Sequence, residues 1–496
     1  MFPRLSAPRL IVLAFGGLIL LGTLLLKIPA ANNGISWMDA FFESVSAVTV
    51  TGLQAVIPAE DFTPLGQAIL AGLILAGTLL LKIPAANNGI SWVDAFFESA
   101  SAVTVTGLQA VVPAKAFTPF GQAILAALIQ LGGLGIMTAA TVGALLIGRR
   151  MGFRDLLVVR EELASPDSPR NVARLIGQVA FITFLVELVG VVALTIRFAL
   201  EGHGLGSLGL GIFHTVAAFC NAGFDIFERG TASYAGDPTV NLTFIYLIVA
   251  GGLGFPVLVN LYYYPRIRRL TLQSKLVLIV TGVLLVLGVL SVALLEWTNP
   301  RTLGGEPLGT RVLMSLFQGV TPRTAGFATV TYSDMRDPTL ATQMALMFIG
   351  TAPVSTGGGI KVTTVALIFL ILLSQIRGHE EVSAFGRRIP RSLIAKSVTV
   401  LALSTLLVSC AALALMISDN VPFFTALFEV TSAFGTVGLS LGPGYGLATE
   451  LSTFGKILLA LVMFAGRVGP ITVVLALSER SKPPRYTYPE EDIAIG

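Results

Sequence analysis

The amino-acid sequence predicts an all-α membrane protein with four pseudo-symmetric helix–pore loop–helix repeats around a central pore. Two observations carry this prediction. The 496-residue chain is 54% hydrophobic and 12% charged, with a mean hydropathy of +0.83, so it is far more apolar than soluble globular domains. Short segments of small and polar residues, each containing a glycine, also recur at similar intervals, at Gly107, Gly223, Gly326 and Gly438. Repetition of this kind indicates one structural unit used four times.

Apolar runs of about the 20 residues that cross a bilayer separate the glycine segments. They lie near Leu10–Leu26, Ala123–Ile147, Val172–Leu200, Leu242–Leu261, Leu276–Leu295, Met344–Leu373, Leu393–Ile417 and Ile457–Leu477. Before each glycine segment comes an amphipathic stretch that is too short to span, containing in turn Asp94–Glu98, Phe213–Val216, Leu316–Gln318 and Leu427–Glu429. Four such stretches in register predict re-entrant helices and argue against ordinary extracellular loops.

These units divide the chain. Repeat 1 covers residues 77–160, repeat 2 covers 161–270, repeat 3 covers 271–385 and repeat 4 covers 386–480, and a cytoplasmic tail covers 481–496. Residues 1–76 hold an N-terminal helix and a near-duplicate of the first pore repeat. Residues 22–71 match residues 77–126 at 44 of 50 positions, at an offset that is out of frame with the repeats. We interpret this block as a recent tandem duplication or an assembly error, and not as a fifth pore element.

The duplication leaves open which copy forms the first pore loop. If Leu10–Leu26 and the hybrid helix Gly66–Leu81 both crossed the membrane, every later span would invert, so one of them must be displaced. The second copy is favoured because Phe117–Gln122 leads directly into the predicted helix Ile129–Ile147 and its Arg149–Arg150 anchor.

Basic residues indicate the topology. Lys and Arg cluster between the spans and are few in the glycine segments, so the positive-inside rule places the clusters in the cytoplasm and the glycine segments at the outer side. The main clusters are Arg149, Arg150, Arg154 and Arg160, then Arg266, Arg268, Arg269 and Lys275, then Arg377, Arg387, Arg388, Arg391 and Lys396. Topology therefore accounts for the net charge of +4, and nucleic-acid binding is not expected.

The glycine segments have the composition of a cation filter. A dehydrated alkali cation needs oxygen ligands in place of water, and rings of backbone carbonyls supply them inside a membrane. Glycine allows the positive φ that turns a carbonyl inward. No acidic ring accompanies the glycines, which argues against a divalent cation. The predicted ion-binding residues are Thr104, Val105, Thr106, Gly107, Asn221, Ala222, Gly223, Thr324, Ala325, Gly326, Thr436, Val437 and Gly438.

A second irregular segment, the intramembrane loop Thr351–Lys361, lies within an apolar stretch. Its proline and three glycines exclude a straight helix, and irregular backbone at membrane depth is tolerated where it is buried in protein or lines a cavity. We predict a gate below the filter at Gly357, Gly358, Gly359 and Lys361; a tight interhelical loop is the alternative. A nucleotide-binding P-loop is a poor match because Val362 follows the lysine.

Arg467 interrupts the last apolar run, where a cation is costly and usually faces a partner or a hydrated path. It is expected either to form an electrostatic barrier beside the gate or to cap carbonyl oxygens of the intramembrane loop, and the sequence favours neither.

On these motifs the chain resembles the Trk/Ktr/HKT superfamily of potassium transport proteins, most closely the KtrB-type membrane subunit. The marks of the resemblance are the four loop glycines, the glycines and lysine of the intramembrane loop, Gly466–Pro470, and the tail Tyr488–Asp492. The duplicated block departs from the family pattern.

The resemblance implies potassium uptake through a selective, channel-like pore in a bacterial plasma membrane. It implies potassium as the substrate, held by filter carbonyls only and with no covalent cofactor, and glycine in all four loops as the potassium-selective pattern; sodium is left open as an activator. Enzyme activity is not expected, because the sequence offers no paired acids, Ser/His dyad or metal cluster at membrane depth. It also implies a homodimer surrounded by membrane lipid and gated by a cytosolic nucleotide-binding ring of the RCK type. The alternative is an alternating-access symporter of monovalent cations, which predicts paired interrupted helices.

Overall fold

The computed structural model describes residues 63–134, 169–204, 206–227, 230–379, 381–442 and 446–469. The motif of the first copy, Thr49–Leu53, lies outside these residues, as do the predicted span Leu10–Leu26, the basic residues 149–160 and the tail. Helices dominate the described part of the chain, and the fold is the predicted all-α arrangement of four repeats.

Each repeat contains an outer helix, a short pore helix and an inner helix. In repeat 1 these are α1 (Thr63–Leu81) and α2 (Trp92–Thr104), then a single turn α3 (Pro113–Ala116) and α4 (Pro119–Gly133). Repeat 2 contains α5 (Pro169–Leu200), the pore helix α6 (Gly206–Phe219), α7 (Pro238–Gly252) and α8 (Phe255–Ile267). The predicted boundary at residue 77 falls inside α1, which is the hybrid helix at the join of the duplication.

The second half follows the same order. Repeat 3 contains α9 (Leu272–Glu296), the pore helix α10 (Leu308–Val320), α11 (Asp337–Phe348) and α12 (Val362–Ile376). A two-stranded antiparallel hairpin, β1 (Ser383–Ala384) and β2 (Arg387–Arg388), leads into repeat 4. Repeat 4 contains α13 (Arg391–Asp419), the pore helix α14 (Phe423–Gly435) and α15 (Thr453–Val468).

Local sequence fixes several helix starts. Ser91, Thr118, Asp237 and Ser452 each accept a hydrogen bond from a backbone N–H in the first turn of α2, α4, α7 and α15, as N-cap residues do. Proline follows directly at position 119 and at position 238, where its missing N–H costs no helix bond. The short pore helices are therefore separated from the inner helices by defined stops and starts.

The predicted span Leu242–Leu261 is wrong as a single straight helix. The chain turns by 101° between α7 and α8, at Gly254, whose φ is +83°. The break pairs with the intramembrane loop: Ala352 N–H donates to the Gly252 carbonyl at 3.1 Å, and Phe255 N–H donates to the Val354 carbonyl at 3.0 Å. Repeats 2 and 3 thus carry interrupted inner helices that satisfy each other's free backbone groups.

Burial distinguishes the inside of the bundle from the lipid-facing surface. The pore-helix phenylalanines Phe97, Phe317 and Phe428 are at most 1% exposed, whereas Phe184 on α5 and Leu406 on α13 are about 60% exposed. Three described helices, within α5, α9 and α13, are long and apolar enough to cross a membrane, or up to four if the bent pair α7 and α8 counts as one span. The four pore helices consequently lie inside a shell whose apolar outer face suits a bilayer.

Candidate functional site

The segment after each pore helix has the same backbone conformation in all four repeats. We call Val105–Gly107, Asn221–Gly223, Thr324–Gly326 and Thr436–Gly438 loops 1 to 4. The loop glycines have φ of 90°, 64°, 77° and 91° in chain order, and the first residue of each loop is also left-handed, with φ of 57°, 59°, 67° and 50°. A left-handed β-branched residue is a genuine outlier, and three of the four first residues are valine or threonine. Strain of this kind persists only where the surroundings enforce it.

The four loops close into a ring in chain order. A Cβ atom built on Gly107 would overlap the Ala222 carbonyl oxygen of loop 2, and one built on Gly223 would lie 3.0 Å from the Ala325 oxygen of loop 3. The same contact continues from Gly326 to the Val437 oxygen of loop 4, and from Gly438 back to the Thr106 oxygen of loop 1. Each glycine therefore faces the carbonyl that precedes the next glycine, and no larger residue fits without moving that carbonyl.

Hydrogen bonds to the pore helices hold the loops from one side. In loops 1 and 4 the glycine N–H donates to a serine hydroxyl in the last turns of the pore helix, from Gly107 to Ser101 at 3.0 Å and from Gly438 to Ser432 at 3.1 Å. Thr104, predicted as an ion ligand, is the last residue of α2, and its hydroxyl donates to the Ala100 carbonyl at 2.6 Å. The hydroxyls of Thr104 and Thr106 are 2.8 Å apart.

A cavity of about 350 Å³ opens on one side of the ring and touches all four loop glycines. We call it the vestibule. Under the topology predicted from the basic residues, it faces the outer side. Asp225 is its only charged lining residue among the described residues; its carboxylate accepts from the Phe227 N–H at 2.7 Å and from the Thr231 hydroxyl at 2.5 Å. A cation that enters the ring from this side therefore passes one fixed negative charge.

The intramembrane loop packs against the opposite side of the ring. Gly358 N–H donates to the Thr436 hydroxyl at 2.8 Å, and a Cβ on Gly357 would overlap the Thr324 hydroxyl. The Asn221 side chain lies 3.2 Å from the Thr356 hydroxyl when its amide is turned to satisfy its neighbours. The left-handed first residues of loops 2, 3 and 4 thus all present their side chains to this loop, which places Gly357–Gly359 directly under the ring.

Two positively charged side chains hold the intramembrane loop in place. Arg467, in the last turn of α15, donates to the carbonyl of Thr356 and, at 2.5 Å, to the carbonyl of Gly132 at the end of α4. Lys361 donates to the Gly357 carbonyl at 2.7 Å. Of the two roles expected for Arg467, these contacts are those of a carbonyl cap, and the positive charge still lies beside the loop. The guanidinium therefore ties repeats 1, 3 and 4 together below the ring.

Sequence reasoning missed one buried cation. Arg323, just before loop 3, is 4% exposed and donates to the carbonyls of Ile349 and, at 2.5 Å, of Gly350, where α11 ends and leaves carbonyls unpaired. The sequence did contain a signal for this residue, because an arginine stands directly before a predicted filter loop. No group of three or more metal-ligating side chains is found within the described ranges.

Comparison with known proteins matches most of the chain. The sequence profile of the family described as "TrkH: Cation transport protein" matches residues 73–484, a range that includes the second copy of the duplicated block and its Gly107. The Ktr system potassium uptake protein B of Bacillus subtilis is 37% identical over 445 residues, which cover 89% of this chain and 98% of that protein.

Two further relatives extend the comparison. The potassium/sodium uptake protein NtpJ of Enterococcus hirae is 34% identical over 444 residues, covering 87% of this chain and 97% of that protein. Among solved structures, the crystal structure of the potassium transporter TrkH from Vibrio parahaemolyticus aligns with a TM-score of 0.66 at 20% identity, over 95% of this chain and 96% of that one. This last likeness shows a shared fold.

Proposed function

This chain belongs to the TrkH family of cation transport proteins, and from that premise we propose that it takes up potassium through the ring of loops 1 to 4. The observation that carries the proposal is the closed sequence of contacts in which each loop glycine meets the carbonyl oxygen of the next loop. Such a ring offers the backbone oxygens of Thr106, Ala222, Ala325 and Val437 to one cation, in the manner of carbonyl-lined filters.

The names of the relatives support potassium as the substrate. The Bacillus subtilis relative is a potassium uptake protein and the Enterococcus hirae relative a potassium/sodium uptake protein. Neutral carbonyls and one vestibule carboxylate suit a monovalent cation, since divalent cations are usually held by several carboxylates. Sodium remains a competing cargo that the ring must reject, and its role as an activator is part of the proposal.

The intramembrane loop is the proposed gate. It lies under three of the four loops, and its glycines leave no room for a side chain against Thr324 and Thr436. Arg467 and Lys361 hold it in place through carbonyls, so breaking those contacts would let it withdraw. We further propose that the chain works as a homodimer in a bacterial plasma membrane, with its gate under a cytosolic nucleotide-binding ring of the RCK type. The Bacillus subtilis relative's name, which places it in a system, supports a second subunit.

A second candidate function is an alternating-access symporter of monovalent cations. The paired breaks at Gly254 and in the intramembrane loop favour it, because interrupted helices that meet near the midplane form the sites of many secondary transporters. The single interruption recognisable in the sequence did not favour it. Ion flux distinguishes the two functions, because a channel-like pore passes potassium down its gradient without a coupled ion, whereas a symporter requires the coupled ion.

The experiment is flux through the purified full chain in liposomes, with internal and external potassium and sodium exchanged. We expect potassium flux down its gradient alone, with sodium passing more slowly. Absence of alkali-cation flux, or equal flux of both ions, would overturn the proposal, and strict dependence on a second ion gradient would establish the symporter. A parallel chain lacking residues 22–76, which removes one copy of the duplicated block, should transport potassium equally well if the second copy supplies loop 1.

A further inference from the structure

Each pore helix carries, directly after a buried phenylalanine, a polar side chain that neither the ring nor the gate accounts for. These are Glu98, His214, Gln318 and Glu429; each follows a phenylalanine in the sequence, and each is 0% exposed. They occupy the same register before the loop glycine in repeats 1, 2 and 4, and one residue closer in repeat 3. Buried polar groups of this kind require hydrogen-bond partners, so their partners indicate what they do.

All four side chains reach the chain where it leaves the ring. In repeat 1, Glu98 accepts from the backbone N–H groups of Ala110 at 2.7 Å and Val111 at 3.1 Å. In repeat 4, both carboxylate oxygens of Glu429 accept from the Ser440 hydroxyl, at 3.0 Å and 2.8 Å.

The members in repeats 2 and 3, His214 and Gln318, make a similar contact. The Gln318 amide satisfies both of its ends when its oxygen accepts from the N–H groups of Thr329 at 2.8 Å and Val330 at 3.0 Å. The Nδ1 atom of His214 lies 2.9 Å from the Leu210 carbonyl oxygen, and its Nε2 atom lies 3.4 Å from the Ile226 N–H and 3.3 Å from an oxygen of the Asp225 carboxylate. In repeats 1, 2 and 3 the pore-helix side chain thus meets the N–H of the third residue after the loop glycine, Ala110, Ile226 and Thr329. In repeat 4 it meets the hydroxyl of the second residue, Ser440.

The location of these contacts links them to the ring. At most two residues separate each loop glycine from the residue that is anchored, so the anchor fixes the direction in which the backbone leaves the ring. The pore helix also holds the loop itself: loops 1 and 4 begin at the residue that follows the helix, and their glycine N–H groups donate to Ser101 and Ser432. With both ends attached to one rigid helix, the strained left-handed residues have little freedom to relax, and the carbonyl oxygens keep their spacing.

We propose that Glu98, His214, Gln318 and Glu429 are positioning residues that set the ion selectivity of the ring. The inference rests on the proposed function and deepens it by naming what holds the ring at its diameter. Loss of one anchor allows one loop to shift, and the ring then adapts to sodium as readily as to potassium. None of the four lines the vestibule among the described residues, so each acts through the loop that it holds.

The test compares Glu429→Met with Glu429→Gln in the full chain reconstituted in liposomes. Methionine keeps the length of the side chain but accepts no strong hydrogen bond, while glutamine keeps an acceptor oxygen. We expect Glu429→Met to lower the potassium/sodium permeability ratio by about 5- to 30-fold, equivalent to about 1–2 kcal/mol. Glu429→Gln should retain the wild-type ratio to within about threefold, a rescue that a packing role would not produce.

Two further variants complete the design. Gln318→Met applies the same change in repeat 3 without removing a charge, and should also lower the ratio. Gln343→Met is the matched control, because Gln343 is buried on α11 and its amide hydrogen-bonds nothing within the described part of the chain; its ratio should equal that of the wild type. Thermal melting of each purified variant shows whether it is folded. If Glu429→Met is not folded, the permeability ratio of Gln318→Met tests the inference in its place.

An unchanged ratio in a folded Glu429→Met or Gln318→Met protein that still carries potassium would overturn the inference while leaving the ring in place. A wild-type protein without potassium selectivity would instead overturn the proposed function. An equal loss in Glu429→Met and Glu429→Gln would also count against anchoring, since it would make the charge, and not the hydrogen bond, responsible.

Discussion

Replacing Gly438 with serine gives the sharpest prediction about the ring. Gly438 has a φ of +91°, and a Cβ there would overlap the Thr106 carbonyl oxygen and lie 3.0 Å from Gly107 Cα. A left-handed conformation costs a residue with a Cβ about 1–2 kcal/mol. If the loop relieves this strain by displacing the Thr106 carbonyl oxygen, we expect the free energy of potassium coordination by the ring to weaken by a similar amount. The potassium/sodium permeability ratio should therefore fall by about 5- to 30-fold.

Gly89→Ser supplies the matched control. Gly89 has nearly the same φ, +95°, but nothing lies within 4 Å of a Cβ built on it, so it incurs the backbone strain without touching the ring. Reversal potentials of both variants in mixed potassium and sodium solutions measure the ratio directly. An unchanged ratio in Gly438→Ser, or an equal fall in Gly89→Ser, would refute the assignment of the carbonyl ring as the filter.

Three further predictions concern the two sides of the ring. Deleting Val354–Gly359 should raise potassium flux because it removes the segment packed under loops 2 to 4; flux at or below the wild-type level would contradict the gate. Arg467→Gln should also raise flux by releasing the Thr356 and Gly132 carbonyls, whereas Lys456→Gln, on the same helix α15 but paired with Asp94 at 2.6 Å, should not. Asp225→Asn should raise the KM for potassium uptake severalfold at low ionic strength, because the charge attracts cations to the vestibule; an unchanged KM would remove Asp225 from the entry path.

The sequence could predict the features that depend on local chemistry. The four loop glycines and the break in the intramembrane loop were recognisable because glycine and proline act on their own segment of chain. The duplicated block was visible from near-identity, and the hybrid helix at its join is the α1 helix of repeat 1.

Other features depend on contacts between distant segments. The apolar run that contains the break holds Gly251, Gly252, Gly254 and Pro256, a signal that the predicted span Leu242–Leu261 passed over. The 101° turn is stable because the intramembrane loop supplies partners for its free N–H and C=O groups. The left-handed conformations of Val105, Thr324 and Thr436 run against the preferences of β-branched residues, so only the packed ring accounts for them. From the sequence, pore-helix residues such as Glu98 could be interpreted only as the polar face of an amphipathic helix. Their role as anchors could be recognised once the structure showed their partners after the loop glycines.

The most direct measurement is a diffraction or cryo-EM map of the protein in rubidium or thallium, two heavy substitutes for potassium. The account predicts ion density on the axis of the four loops, with the carbonyl oxygens of Thr106, Ala222, Ala325 and Val437 around it. Loops that lie apart with no density between them, in a preparation that transports potassium, would contradict it.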